Sequence, residues 1–159
     1  IAISTQQEFD QRLWSADPGG YLSAVADEAL LVQERPYQDS ATPAANGVAV
    51  TNLVRLALLT DDLDDLDRAQ RTLQAFGTVI EQIPRTCPSL LQGLNWFLHG
   101  TVVNATPAAI AELATEYWPT TVFAVADALP VGAVGMVCRG TKCLAVAEST
   151  DKLRQQLRG

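Results

Sequence analysis

The sequence predicts a mixed fold in which helices come first and a small α/β part closes the chain. Three observations predict it. Apolar residues recur at three- and four-residue steps from Leu63 to Ile83, the face of one helix. Before them, Val48 to Thr60 is apolar nearly all round, with Thr51, Asn52 and Arg55 the polar exceptions ahead of Thr60. From Gly100 the rhythm changes, and Thr101 to Asn104, a helical pattern, and Thr121 to Ala126 read as strand, helix, strand. The predicted division is a helical segment at 1–99 and an α/β segment at 100–159.

Each element has local reasons. The first helix is predicted from Ser4 to Trp14, because Ser4 with Gln7, or Thr5 with Glu8, has capping-box spacing. Asp17-Pro18-Gly19-Gly20 then forms a turn. Tyr21 to Ala24 and Leu30 to Gln33 suit two short strands around a turn at Asp27-Glu28. A helix apolar on nearly every side must be covered by neighbours, so Val48 to Thr60 is predicted to be central. Asp61, Asp62, Asp64 and Asp65 crowd the start of the next helix, where negative charge offsets the dipole. Asp64 with Arg68 and Asp67 with Arg71 stand as acid-before-base pairs four apart. That acidic run lacks the glycine and spaced ligands of a calcium loop, so no metal is expected.

Pro84 stops this helix and Pro88 starts another, with Leu90, Leu91, Leu94, Phe97 and Leu98 on its apolar face. A hairpin of helices follows from the short link. Leu53, Leu56, Leu73, Phe76, Ile80, Leu94 and Phe97 are expected to share one core. In the last segment, Thr106-Pro107 is an N-cap followed by proline at the first helical position. Thr121 to Ala126, apolar on both sides, is expected to be a central strand. A hairpin of Val134 to Cys138 with Cys143 to Ala147 follows, and Ser149 or Thr150 caps a final helix with Leu153 and Leu157 inward.

Composition limits the function classes. The chain has 159 residues, 48% of them apolar and 18% charged, which permits a sizeable core. A net charge of −7 argues against a nucleic-acid surface. No apolar run is long enough for a membrane helix, and no secretory leader is visible at the start. The first residue is Ile1, which suggests a piece of a longer protein. Three cysteines make no disulfide framework, and reduced thiols in a cytoplasmic protein are the expectation. A single histidine, His99, removes two-histidine metal sites and most proton relays.

The candidate ligand site is the loop before the buried helix. Glu34 and Asp39 are its carboxylates, Arg35 its cation and Asn46 its amide, and Tyr21 is an aromatic able to stack on a sugar ring. Free N–H groups at the start of that helix favour anions and polar ligands. Two carboxylates across a glycosidic bond are the usual machinery of sugar hydrolysis. The structural reading of the same residues makes Asp39 a loop cap, pairs Glu34 with Arg35, and puts Asn46 at the N-cap. Cys138 and Cys143 are redox candidates, because a hairpin sets them opposite each other with Arg139 and Lys142 near to favour thiolate.

In order, Glu8-Phe9-Asp10 with Trp14, Gly19-Gly20-Tyr21, Arg35-Pro36, Asp39 with Ala41, Pro43 and Asn46, Asn52-Leu53 with Arg55-Leu56, Val137-Cys138-Arg139, Cys143-Leu144 and Thr150-Asp151 form a recognisable series. The series resembles the carboxy-terminal part of thioredoxin-domain-containing proteins, the family of the mammalian spermatogenesis-associated thioredoxin-like protein and its bacterial relatives. The resemblance implies an amino-terminal thioredoxin-like domain outside this chain. It also implies the final helical hairpins of an (α/α) six-hairpin toroid, similar to N-acylglucosamine 2-epimerases and six-hairpin glycosidases, plus a small α/β subdomain. The implied function is that of a carbohydrate-processing toroid with a sugar-like ligand near Glu34–Asn46; a non-catalytic interaction or scaffold domain and a thiol-redox part are the alternatives. Implied partners are the remainder of the same polypeptide and a small carbohydrate, with self-association of the chain and no cofactor. Where the family usually carries two loop serines and a lysine, this chain has Ser40, Ala44, Ala45 and Gly47, with Tyr37 after Arg35-Pro36.

Overall fold

In a computed structural model, the chain forms seven α-helices and a four-stranded mixed sheet, among described residues that exclude only Ala26, Glu28, Ala29 and Thr141. It divides into two compact units, Ile1–Leu98 and His99–Gly159.

The first unit holds α1 (Ala2–Leu13), α2 (Ala45–Thr60), α3 (Leu63–Ala75), the six-residue α4 (Gly77–Gln82) and most of α5 (Pro88–His99). This architecture overturns the expected toroid. A ring of hairpins needs helix after helix of similar length, yet residues 14–44 contain no helix among the described residues. The stripe from Leu63 to Ile83 is also broken at Phe76, whose φ of −102° and ψ of 10° leave the helix. Gly77 follows at once, and glycine inside a helix costs about 1 kcal/mol relative to alanine. The spacing continues across the break: the Ile80 N–H donates to the Phe76 carbonyl at 2.9 Å, and Ile80 packs against the same core as Leu73 and Phe76.

Helix ends follow short-range chemistry. Asp62 caps α3 by accepting from the Asp64 N–H at 2.9 Å. Asp61 ends α2 in the left-handed region at φ 57°, which Asp tolerates better than most residues. The expected capping box of α1 is absent: Ile1 precedes the helix, and the Ser4 hydroxyl donates to the Ile1 carbonyl instead. Arg68 pairs with Asp65 at 3.4 Å and lies 3.9 Å from Asp10, rather than meeting Asp64. The strands predicted at Tyr21 to Ala24 and Leu30 to Gln33 do not form; Tyr21 makes one isolated bridge with Trp14. Of the turn predicted between them, Glu28 lies outside the described residues.

The core of this unit gathers Tyr21, Val50, Leu53, Val54, Ala69, Leu73, Phe76, Cys87 and Leu90, with Ile80, Leu94 and Phe97 packed against it. Leu56, expected there, stays outside and half-buried on another face of α2.

The second unit builds β1 (Thr101–Ala105), α6 (Pro107–Leu113), β2 (Thr121–Val125), β3 (Gly135–Arg139), β4 (Lys142–Cys143) and α7 (Thr150–Arg158). The sheet order is β2-β1-β3-β4, with β1 parallel to β2 and antiparallel to β3. So β2 is an edge strand, with β1 and β3 the inner ones, contrary to the expectation from its apolar sequence. Being apolar on both faces requires covered faces, and does not require neighbours on both edges. Thr106 caps α6 by accepting from Ala109 N–H at 3.3 Å, and Ser149 caps α7 through Lys152 N–H at 3.3 Å. Val103, Ala105, Ala109, Leu113, Val137, Ala147 and Leu153 form the core. Arg154 ties α7 to α6 by donating to Glu112 at 2.7 Å, and to the segment just after α6 by donating to Glu116 at 2.6 Å. The Arg154 hydrogen bond to Glu116, with a further one from Arg158, holds the Glu116 carboxyl below the usual carboxylate range.

Candidate functional site

The loop ahead of α2 is where the predicted ligand groups sit, and each has a defined place. Asn46 falls in the first turn of α2 and is completely buried. Its Oδ1 accepts from the Tyr21 backbone N–H at 2.7 Å. Its Nδ2 donates to the Tyr21 carbonyl at 2.9 Å and to the Pro36 carbonyl at 2.8 Å. The side-chain amide thus imitates a strand neighbour for Tyr21, giving a backbone without a sheet the donor and acceptor it needs. The helix N-cap is Ala44, whose side chain makes no cap, so Asn46 is not the N-cap that its type suggested. Gly20 permits the clasp: at φ 99°, a Cβ there would lie 2.9 Å from Asn46 Oδ1.

Tyr21 is fully buried, stacked on Phe9 with centroids 4.4 Å apart and edge-on to Trp14 at 5.2 Å. Its hydroxyl donates to Asp10 Oδ1 at 2.5 Å, and Gln6 Nε2 donates to the same carboxylate oxygen at 2.8 Å. Burial, then the adjacent Asp10 carboxylate, push the phenol far above its ordinary value. A ring held on both sides by protein has no free face for a sugar.

Asp39 joins two helix starts. Its Oδ1 accepts from the Ala44 N–H at 2.8 Å and the Ser89 hydroxyl at 2.5 Å, and Oδ2 accepts from the Ser89 N–H at 2.7 Å. The positive ends of α2 and α5 therefore share one carboxylate. Burial alone would raise its pKa, but hydrogen bonds from the Ser89 hydroxyl, the Ala44 N–H and the Ser89 N–H prevail and leave it lowered. A carboxylate so held is a weak proton acceptor near neutral pH. Gly47 lets the helix starts touch, because a Cβ there would collide with Ser89 Oγ.

Arg35 reaches Ser15 Oγ at 2.6 Å and the Asp17 carbonyl at 2.7 Å, fastening the loop to the turn after α1. Its buried Nε has no hydrogen-bond partner among the described residues. Glu34 is exposed; its backbone carbonyl accepts from the Ser23 N–H at 2.8 Å. The structure unites Asn46 with Tyr21 and Asp39 with Ser89, while Glu34 and Arg35 do not pair. Ser89 and Gln6 escaped the sequence reading, while Gly20 entered it as a turn residue and Asp10 as part of the resemblance, neither with a role at the site. Gly20 directly before Tyr21, and a serine after Pro88 at a helix start, were the local signals.

In the second unit, Cys138 and Cys143 face each other across β3 and β4, with Cα atoms 3.9 Å apart. Their sulfurs are bonded, where reduced thiols were expected. The intervening loop includes Thr141, which lies outside the described residues. Cys138 is buried and Cys143 exposed, while Cys87 is a buried free thiol whose pKa is raised by burial and by Asp39. Among the described residues, no group of three or more His, Cys, Asp or Glu side chains is placed to hold a metal ion. Nor is any helix among them long and apolar enough to cross a membrane.

No family model matches the chain. It is similar to "Spermatogenesis-associated protein 20" of Homo sapiens, 30% identical over 96 residues, and to that of Rattus norvegicus, 31% identical over 96 residues. The mouse (Mus musculus) protein of the same name is 30% identical over 96 residues. In each case the match covers 59% of this chain and only 12% of the relative's length.

Proposed function

We propose that this chain is a non-catalytic interaction or scaffold domain. One observation carries the reading: the side-chain polar atoms of Asn46 and Asp39, the two most enclosed groups of the Glu34–Asn46 loop, are engaged within the protein. Both donors and the acceptor of Asn46 are satisfied, and both oxygens of Asp39 are occupied. A sugar there would have to break buried hydrogen bonds to make its own, with little net gain. The carbohydrate reading is the competing one. Calorimetric titration with mono- and disaccharides, alongside hydrolysis and epimerisation assays, separates them. The proposal expects neither saturable heat nor turnover. Saturable binding that Asp39→Asn abolishes, in protein still folded by circular dichroism, would reject it.

A further inference from the structure

Helix α2 carries apolar residues nearly all round, and such a helix is stable when covered on most sides. One stripe of it is uncovered: Val48 and Leu59 are 42% and 47% exposed, and Leu56 lies outside the core. This stripe and the Thr5–Phe9 side of α1 line a groove of about 690 Å³. Val48, Asn52, Arg55 and Leu59 follow one another at steps of four, three and four, the spacing that receives another helix lengthwise. Ala45 to Leu59 spans roughly 21 Å at 1.5 Å per residue, about four turns.

The charge in the groove is equally specific. Arg55 meets no carboxylate among the described residues; its guanidinium lies over the Trp96 ring, 5.5 Å from the centroid. This occurs in a chain of net charge −7, which opposes docking of a second copy or an anionic membrane. Resting on the reading of the chain as an interaction domain, we propose that the groove between α1 and α2 seats an amphipathic α-helix of a partner protein, with a carboxylate of that helix against Arg55. Leu56, Leu59, Val48 and Phe9 supply the apolar contact, and Arg55 sets the register.

The test uses two labelled peptides of about 18 residues, long enough to span the groove. Both carry leucines at three- and four-residue steps; one has a central glutamate on the leucine face and the other a lysine there. Fluorescence anisotropy against the whole chain should show the glutamate peptide binding at least about tenfold tighter than the lysine peptide. Arg55→Glu should reverse that order, Arg55→Gln should abolish it, and Leu59→Gln should weaken both peptides. Absence of binding up to about 1 mM, only about 4 kcal/mol of affinity, would overturn the proposal. So would equal affinity of Arg55→Glu for both peptides, or self-association that Leu59→Gln removes. Sugar titration remains independent: failure of the peptides leaves it unchanged, and saturable sugar heat would strike the underlying reading alone.

Discussion

Asn46 and Tyr21 hold each other by both backbone-facing edges: the Tyr21 N–H donates to Asn46 Oδ1 at 2.7 Å, and Asn46 Nδ2 donates back to the Tyr21 carbonyl at 2.9 Å. They are 25 residues apart, so this clasp fixes the segment after α1 against the start of α2. Asn46→Ala would strand the Tyr21 N–H and two carbonyls in the core. Each buried unpaired group costs about 1–3 kcal/mol, so urea melts should show a loss of at least about 2 kcal/mol. A loss under about 0.5 kcal/mol, the usual range for surface substitutions, would mean the clasp is dispensable.

Asp39 gives a pH signature. Its folded pKa lies below the ordinary 3.8, so its contribution to stability is fully present above that value and is lost as pH falls through the folded one. Asp39→Asn should destabilise the protein by about 1–3 kcal/mol at pH 7. The difference from wild type should shrink as the wild-type carboxyl protonates at acid pH. A constant difference from pH 7 to below the folded pKa would count against this role.

Asp65 should behave in the opposite sense. Burial first, then the neighbouring Asp62 and Asp10 carboxylates, raise its pKa, with Arg68 opposing. Its ionised form therefore burdens the fold above the folded pKa, and the burden disappears as pH falls below the unfolded value. Asp65→Asn is expected to raise the urea midpoint at neutral pH, with a smaller gain in acid. A lower midpoint at pH 7 would show that the Arg68 pair at 3.4 Å outweighs desolvation.

Leu73 is 7% exposed in the first unit's core. Leu73→Ala should cost about 2–5 kcal/mol in denaturant melts, through lost burial and a residual cavity.

The bond between Cys138 and Cys143 makes a chemical prediction. Thiol counting on unfolded, unreduced protein should find only Cys87 free, with a mass lower by two hydrogens than the reduced chain. Replacing both bonded cysteines by serine should cost about 2 kcal/mol, the entropy expected for so short a closed loop. Detection of three free thiols would place the reduced form in solution.

What could be read in the sequence was what short-range chemistry decides. Thr106-Pro107 and Ser149 announced helix starts because a cap and its N–H partner lie within three residues. The opposition of Cys138 and Cys143 followed from the hairpin between them. Strand order was hidden, because nothing within Thr121 to Val125 says which edge it will occupy. The hairpin toroid expected from resemblance failed because the chain breaks its longest amphipathic stripe at Phe76 and leaves the described residues of 14–44 without a helix. Polarity drew attention to Asp39 and Asn46, but their partners, Ser89 and Tyr21, stand 50 and 25 residues away. A single sequence shows that such groups need partners; it does not show whether the protein or a ligand provides them.

The central claim is that Asn46 and Asp39 brace the fold rather than receive a ligand. The most direct measurement is a ¹⁵N–¹H correlation spectrum of the chain titrated with mono- and disaccharides, following the Asn46 side-chain amide and the Ala44 and Ser89 backbone amides. These signals are predicted to stay in place to saturating sugar, and to shift together when Asp39 is protonated at low pH. Saturable movement of the Asn46 amide and the Ser89 N–H with any sugar at neutral pH would contradict the account.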